Sequence, residues 1–221
     1  MKVHFKKKIK SNSSRRWLER QLKDPYVEKA KKEGYRSRAA FKLLEMDDRF
    51  HFFKGKTCVV DLGAAPGGWS QVAYHRLSGS TKIVIGLDLK EFDALEGVQS
   101  LVGDFREADI QKELTHRLKG YPVDVVMSDM AASACGIPSV DHLRIMDLLE
   151  QSLDFAIHHL VKGGHFIGKV LRGGAEKELL IEARKHFEKV VHVKPPASRK
   201  DSAEMYLVAL NFHGNVLSLI D

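Results

Sequence analysis

The feature that most constrains this chain is an alternation that begins at residue 57. Short runs rich in Val, Ile and Leu take turns with longer runs of helical periodicity. The β-rich runs are TCVVDL (57–62), KIVIGLD (82–88), VQSLV (98–102), VDVVMSD (123–129), GHFIGKV (164–170), KVVHV (189–193) and EMYLVALN (204–211). The runs between the first five are long enough for helices. The clearest spans Val140 to Val161, where Met146, Leu149, Leu153, Ile157 and Leu160 recur at steps of three and four. Strands that alternate with helices imply a parallel sheet covered on both faces. Only KPPASRKDSA joins the last two runs. No crossover helix fits there, so the final strand is expected to turn back antiparallel. The expected fold is α/β: seven strands, mostly parallel, the last antiparallel, with helices on both faces.

At 221 residues one domain is the default, and a chain this size needs no disulfide or metal staple. Hydrophobic residues are 43% and charged residues 29%, which excludes wholesale disorder. No apolar stretch approaches the ~18 residues that span a bilayer. Cys58 and Cys135 lie far apart and outside any C-x-x-C, so neither a disulfide scaffold nor a cysteine-rich zinc site is expected. Cys58 reads as core. The eleven histidines show no metal spacing, and no metal is expected.

The net charge of +7 is unevenly placed. Residues 1–42 hold 15 basic and four acidic residues, and the remainder is net acidic. Trp17, Tyr26, Tyr35 and Phe41 lie within this basic segment, which a pure solubility tail would not need. Lysines for phosphates and rings for base stacking suit a nucleic acid. A membrane surface is disfavoured, because the segment has no continuous apolar face. The segment also lacks the apolar core of a signal peptide. Cytoplasm is the first reading of location and a mitochondrial matrix the second. Residues 1–34 read as a basic arm, 35–213 as the folded domain and 214–221 as a tail. Within the arm, a helical stretch is expected from Arg15 to Leu22 and a charged helix from Asp24-Pro25 to Lys32. Ser37 is expected to cap a helix whose face carries Ala40, Leu43, Leu44 and Asp47, with Lys42 off that stripe.

The first strand runs into Asp61-Leu62-Gly63-Ala64-Ala65-Pro66-Gly67-Gly68-Trp69, and a helical run, Ser70 to Leu77, follows. Strand, glycine loop and helix make the layout of a nucleotide site at the carboxyl end of a parallel sheet. The dinucleotide pattern G-x-G-x-x-G is met only at Gly63 and Gly68, because Ala65 holds the middle position. Asp61, Asp88, Asp104 and Asp129 all fall at or just after strand ends. So many carboxylates repel a pyrophosphate and suit a ligand with a sulfonium and an ammonium group. S-adenosylmethionine fits that description. Asp88 would hold the ribose diol, Asp104 the adenine amino group, and Asp129 would lie near the methionine end.

These residues resemble the FtsJ/RrmJ-like ribose 2′-O-methyltransferases from about Ser14 to Phe212. The matching segments are RSRAAFKL (36–43), DLGAAPGGWSQ (61–71), GDF (103–105), VVMSDMA (125–131), GKV (168–170) and the S-R-x-x-S-x-E-x-Y run from Ser198 to Tyr206. The resemblance implies a Rossmann-like S-adenosylmethionine-dependent methyltransferase fold. It implies a Lys-Asp-Lys-Glu tetrad around the reacting hydroxyl, which falls on Lys42, Asp129, Lys169 and Glu204. It places the cofactor on Gly63, Gly67, Gly68, Trp69, Asp88, Asp104, Phe105 and Asp129. Trp69 could instead staple the helix start. The closest bacterial members methylate a uridine of the peptidyl-transferase A-loop in large-subunit ribosomal RNA. Two segments depart from the bacterial pattern, Ala132-Ser133 after SDMA and Leu171-Arg172-Gly173-Gly174 after Lys169.

The expected partner is therefore RNA, in the form of an assembled 50S-type subunit, met by a monomer. Lys169 is expected either to take the 2′-hydroxyl proton or to stabilise the alkoxide as a cation. Three other readings stay open. One keeps the chemistry and moves it to transfer RNA or a messenger cap. Another is an NAD-dependent oxidoreductase. The last is a non-catalytic ribosome-assembly module that binds RNA.

Overall fold

The computed structural model describes residues 22–79, 81–132, 135–172 and 176–214. The expected helix at Arg15 to Leu22 and the tail lie almost wholly outside them. Among the described residues the chain forms α1 (Pro25–Glu33), α2 (Ala39–Phe50), β1 (Cys58–Leu62), α3 (Gly68–Arg76), β2 (Ile83–Asp88), β3 (Val98–Val102) and α4 (Ala108–Arg117). It continues through β4 (Val123–Ser128), α5 (Pro138–His159), β5 (Leu160–Leu171), α6 (Glu176–His186), β6 (Phe187–Val193) and β7 (Glu204–Phe212).

The seven strands form one sheet in the order β3-β2-β1-β4-β5-β7-β6. The pairs β1–β2, β1–β4, β2–β3 and β4–β5 are parallel. Strand β7 runs antiparallel to both β5 and β6, as the short link before it requires. Central strands are buried on both faces and therefore read as continuous apolar runs. Alternation then divides the core. Val59, Val84, Val125 and Met127 pack on the face that carries α2 and α3. Val60, Leu62, Ile85 and Val126 pack on the opposite face, with Met146, Leu149 and Leu153 of α5 and Ala183 of α6.

Helix α1 begins where expected. Asp24 accepts a hydrogen bond from the Tyr26 backbone N–H at 3.1 Å, Pro25 fills the first turn, and Gly34 ends the helix at φ 77°. Three expectations need correction. Ser37 does not cap α2: the cap residue is Arg38, with no side-chain bond. The Ser37 side chain packs against α3 instead, so close that a Cβ on Gly68 would lie 2.3 Å from its Oγ. The link between β2 and β3 forms no helix. Arg36 takes the carbonyls of Asp93 (2.5 Å) and Ala94 (2.6 Å), and Gly97, at φ 69°, packs so close to Tyr74 that a Cβ would lie 1.9 Å from its ring. The long helix α5 stops at His159 rather than Val161, because Leu160 has already joined the sheet opposite Val123.

Candidate active site

Four charged side chains from four parts of the chain meet at the carboxyl end of β4. Asp129 follows β4, Lys169 lies near the end of β5, Glu204 opens β7 and Lys42 sits on α2. The antiparallel ladder sets Lys169 opposite Tyr206 and Leu171 opposite Glu204, so the start of β7 lies at the same edge as the ends of β4 and β5. Lys169 Nζ donates to the Asp129 carbonyl at 2.7 Å and lies 2.9 Å from Asp129 Oδ1 and 3.9 Å from Glu204 Oε2. Lys42 Nζ donates to Glu204 Oε1 and, at 3.1 Å, to the Tyr206 hydroxyl. Off the apolar stripe of its helix, Lys42 is nonetheless buried, because these partners cover it.

Tyr206 is the residue that sequence reasoning did not single out. It is fully buried beneath the tetrad. Its hydroxyl donates to Asp129 Oδ1 at 2.7 Å, with Glu204 Oε1 as the alternative acceptor at 3.2 Å. Burial, then the charges of Asp129 and Glu204, push its pKa well up, so it stays a neutral donor. The signal was available: side chains alternate along a strand, so the residue two past Glu204 shares its face.

The charge states follow from the contacts. Burial alone pulls the Lys169 pKa down, but the carboxylates of Asp129 and Glu204 outweigh it and hold the ammonium above the ordinary lysine value. Burial pushes Asp129 up, but Lys169, Lys42 and the Tyr206 hydroxyl hold it below the usual carboxylate range. The resting cluster is therefore an ammonium–carboxylate array. Glu204 Oε2 accepts no hydrogen bond among the described residues.

Beside this cluster lies a cavity of about 390 Å³. Gly63, Asp88, Asp104, Phe105 and Met130 line it, and Met130 directly follows Asp129. Asp88 is locked in place: Oδ2 accepts from the Ala65 N–H and Oδ1 from the Lys90 N–H, both at 2.9 Å. Arg106 grips Asp104 through both carboxylate oxygens and holds its pKa low. Of the expected cofactor residues, Gly67, Gly68 and Trp69 do not line this cavity. A Cβ on Gly67 would meet Leu95 at 2.6 Å and one on Gly68 would meet Ser37, so these glycines admit protein neighbours. The Trp69 indole donates to the Ala39 carbonyl at 2.8 Å and packs on Tyr206 with ring centroids 5.4 Å apart. It joins α2 to α3 under the tetrad.

The cavity wall sets Asp88, Asp104 and Asp147 with Arg106 and Arg144 beside apolar Leu87, Phe105 and Met130, a lining that suits an adenosine. Cys58 is core, as expected, and burial followed by the charge of Asp124 pushes its thiol up to about 12. Among the described residues no group of His, Cys, Asp and Glu could hold a metal ion.

Comparison with known proteins agrees with this geometry. Residues 35–212 match the FtsJ-like methyltransferase family. A relative from Paramagnetospirillum magneticum, named ribosomal RNA large subunit methyltransferase E, is 53% identical over 208 residues, covering 92% of this chain and 84% of its own. A protein of the same name from Parvibaculum lavamentivorans is 51% identical and covers all of this chain and 91% of its own. A solved Plasmodium falciparum structure described as a ribosomal RNA methyltransferase superposes with TM-score 0.73 at 30% identity, over 82% of this chain and 100% of its own. The chain belongs to the FtsJ-like methyltransferase family.

Proposed function

We propose that this protein methylates a ribose 2′-oxygen of large-subunit ribosomal RNA, at a uridine of the A-loop, with S-adenosylmethionine as donor. The relatives' name supports the RNA. The observation that carries the chemistry is Lys169, held as an ammonium between Asp129 and Glu204, with Asp129 directly followed by Met130 of the cavity wall. Bound S-adenosylmethionine supplies an electrophilic methyl on a sulfonium. Asp88 would hold its ribose diol, Asp104 its adenine amino group and Phe105 a ring face.

The remaining work is positioning and proton management. The charged state of Lys169 favours the cation over the base. Its ammonium orients the 2′-oxygen and stabilises negative charge there as the C–O bond forms and the S–C bond breaks. The hydroxyl proton passes to Glu204 Oε2, the open acceptor. Lys42 and Tyr206 hold the rest of that carboxylate still. A groove lined by Lys23, Tyr26, Arg38, Arg199 and Lys200, with Asp24 pairing Arg38 and Arg199, reaches Ser198 beside Glu204 and offers cations to the RNA flanking the target. The substrate is taken to be the assembled subunit, the enzyme a monomer, and its compartment the cytoplasm, where ribosomes are. Within residues 1–34 the arm adds charge to the same RNA contact.

Lys169→Ala tests the assignment. Methyl transfer should fall at least a thousandfold, while calorimetric affinity for S-adenosylmethionine stays within twofold. Lost cofactor affinity would remove Lys169 from the acceptor side. The wild-type rate should be flat from pH 7 to 9. A tenfold rise per pH unit would restore Lys169 as the base.

A further inference from the structure

The position of Glu204 is less secure than its place in a sheet suggests. It is the first residue of β7; the ladder runs downstream of it, and on its upstream side the Arg172 N–H, just past β5, donates to the Ala203 carbonyl at 2.9 Å. Upstream is the loop 194–203, which must deliver Glu204 to Lys42 on a helix far away in sequence. Ala197, at the centre of that loop, is fully buried. Both of its backbone polar groups are taken by side chains of α2 and its cap residue. Its N–H donates to Glu45 Oε2 at 2.6 Å, and its carbonyl accepts from Arg38 Nη2. The other Glu45 oxygen accepts from the Tyr26 hydroxyl of α1 at 2.9 Å. Next along the loop, Ser198 is buried and its hydroxyl faces Glu204 Oε1 at 3.5 Å.

Arg38, Lys42 and Glu45 follow one another at i, i+4 and i+7, so they form one stripe along α2. The tetrad lysine is thus flanked, one turn to either side, by the two residues that grip the loop. That arrangement fixes how far the loop can slide along α2, and with it the Lys42–Glu204 contact.

We infer that Glu45 is a positioning residue for methyl transfer: it pins Ala197 and so sets Glu204 against Lys42. The inference rests on the proposed methyl transfer, but its first test does not. A displacement of about 1 Å in such a cluster can cost on the order of a hundredfold in rate. Gln at this position keeps an acceptor for the Ala197 N–H, and the Tyr26 hydroxyl can turn to meet its amide. Ala keeps neither contact.

The experiment compares wild type, Glu45→Ala and Glu45→Gln. Hydrogen exchange on the free proteins should show the amides of 197–204 losing protection at least tenfold in Glu45→Ala, with β4 and β5 unchanged and Glu45→Gln close to wild type. Unchanged protection at 197–204 overturns the inference whatever the enzyme's substrate proves to be. Assays with S-adenosylmethionine and unmodified large subunits should then show kcat down 10- to 100-fold in Glu45→Ala, with KM for the subunit and cofactor affinity within threefold, and Glu45→Gln within threefold of wild type throughout. An equal kcat loss in both variants means that charge, not the hold on Ala197, matters, and contradicts the inference. So does a loss confined to KM.

Discussion

Asp61 lies within the fully buried run of β1 without a counter-charge. Its Oδ2 accepts from Ser70 Oγ at 2.6 Å, and its Oδ1 is buried with no hydrogen-bond partner. Burial first, with the charges of Asp129 and Asp88 added, pushes its pKa up to about 7, against the pull of the Ser70 hydroxyl. The native state therefore holds a proton that the unfolded state releases near the ordinary carboxylate value of 3.8. Stability from this group is present below that value and is lost as pH rises through about 7. Asp61→Asn removes this dependence. The variant should gain on wild type between pH 5 and 8 by on the order of a few kcal/mol in urea unfolding. A pH-independent difference contradicts the assignment. His165 has the opposite slope, since burial and then the charge of Lys56 hold it down at about 4, but it is common to both proteins. At this scale the tetrad was legible because each member sits in a distinctive string, such as GKV around Lys169. Tyr206 closes the same string as Glu204, and strand alternation puts it on the same face, but its role was not drawn from that. Glu45 was not legible: an acid on a helix looks the same in sequence whether it packs, dissolves or holds a loop, and only the tertiary contact separates the cases.

At the level of elements, the glycine loop packs against the rest of the chain as well as forming a turn. Its layout after β1 and before α3 is as expected. Gly63 sits at φ 81°, and a Cβ there would lie 2.8 Å from the Met130 backbone N. Its Cβ-less surface admits the chain just after Asp129. Gly63→Ala therefore combines left-handed backbone strain with a contact that only backbone movement can relieve, costing about 2 kcal/mol. The melting temperature should fall by roughly 4–8 °C. Methyl transfer should fall too, because Asp129 is bonded to Leu62 just before the loop, through its N–H at 3.0 Å. An unchanged melting temperature would show that the loop after β4 yields freely. All seven strands were legible from their apolar runs, and the return of β7 from the shortness of its link. The β2–β3 link was not, because what denies it a helix is Arg36, a residue more than fifty positions upstream of the carbonyls it holds.

On the whole molecule, charge decides which side meets RNA. The groove by Ser198 sets Lys23, Arg38, Arg199 and Lys200 against Asp24 and Asp201, a net positive lining; residues 1–21, outside the described residues, carry eight basic residues and one acidic. The outer groove between α5 and α6 is the reverse. It spans about 990 Å³ and is lined by Asp147, Glu150, Asp154, Glu178 and Glu182. A polyanion is drawn to the tetrad edge and repelled from this one, so the field orients the enzyme before contact. The uneven charge was plain from sequence; the acidic groove was not, because its residues come from two helices that only the sheet brings together. The most direct test supplies labelled S-adenosylmethionine with unmodified large ribosomal subunits, deproteinised ribosomal RNA and bulk transfer RNA side by side. Label should enter the subunit at one alkali-resistant linkage and be absent with Lys169→Ala. Label in transfer RNA, an alkali-labile product, or no transfer despite intact cofactor binding would contradict the account.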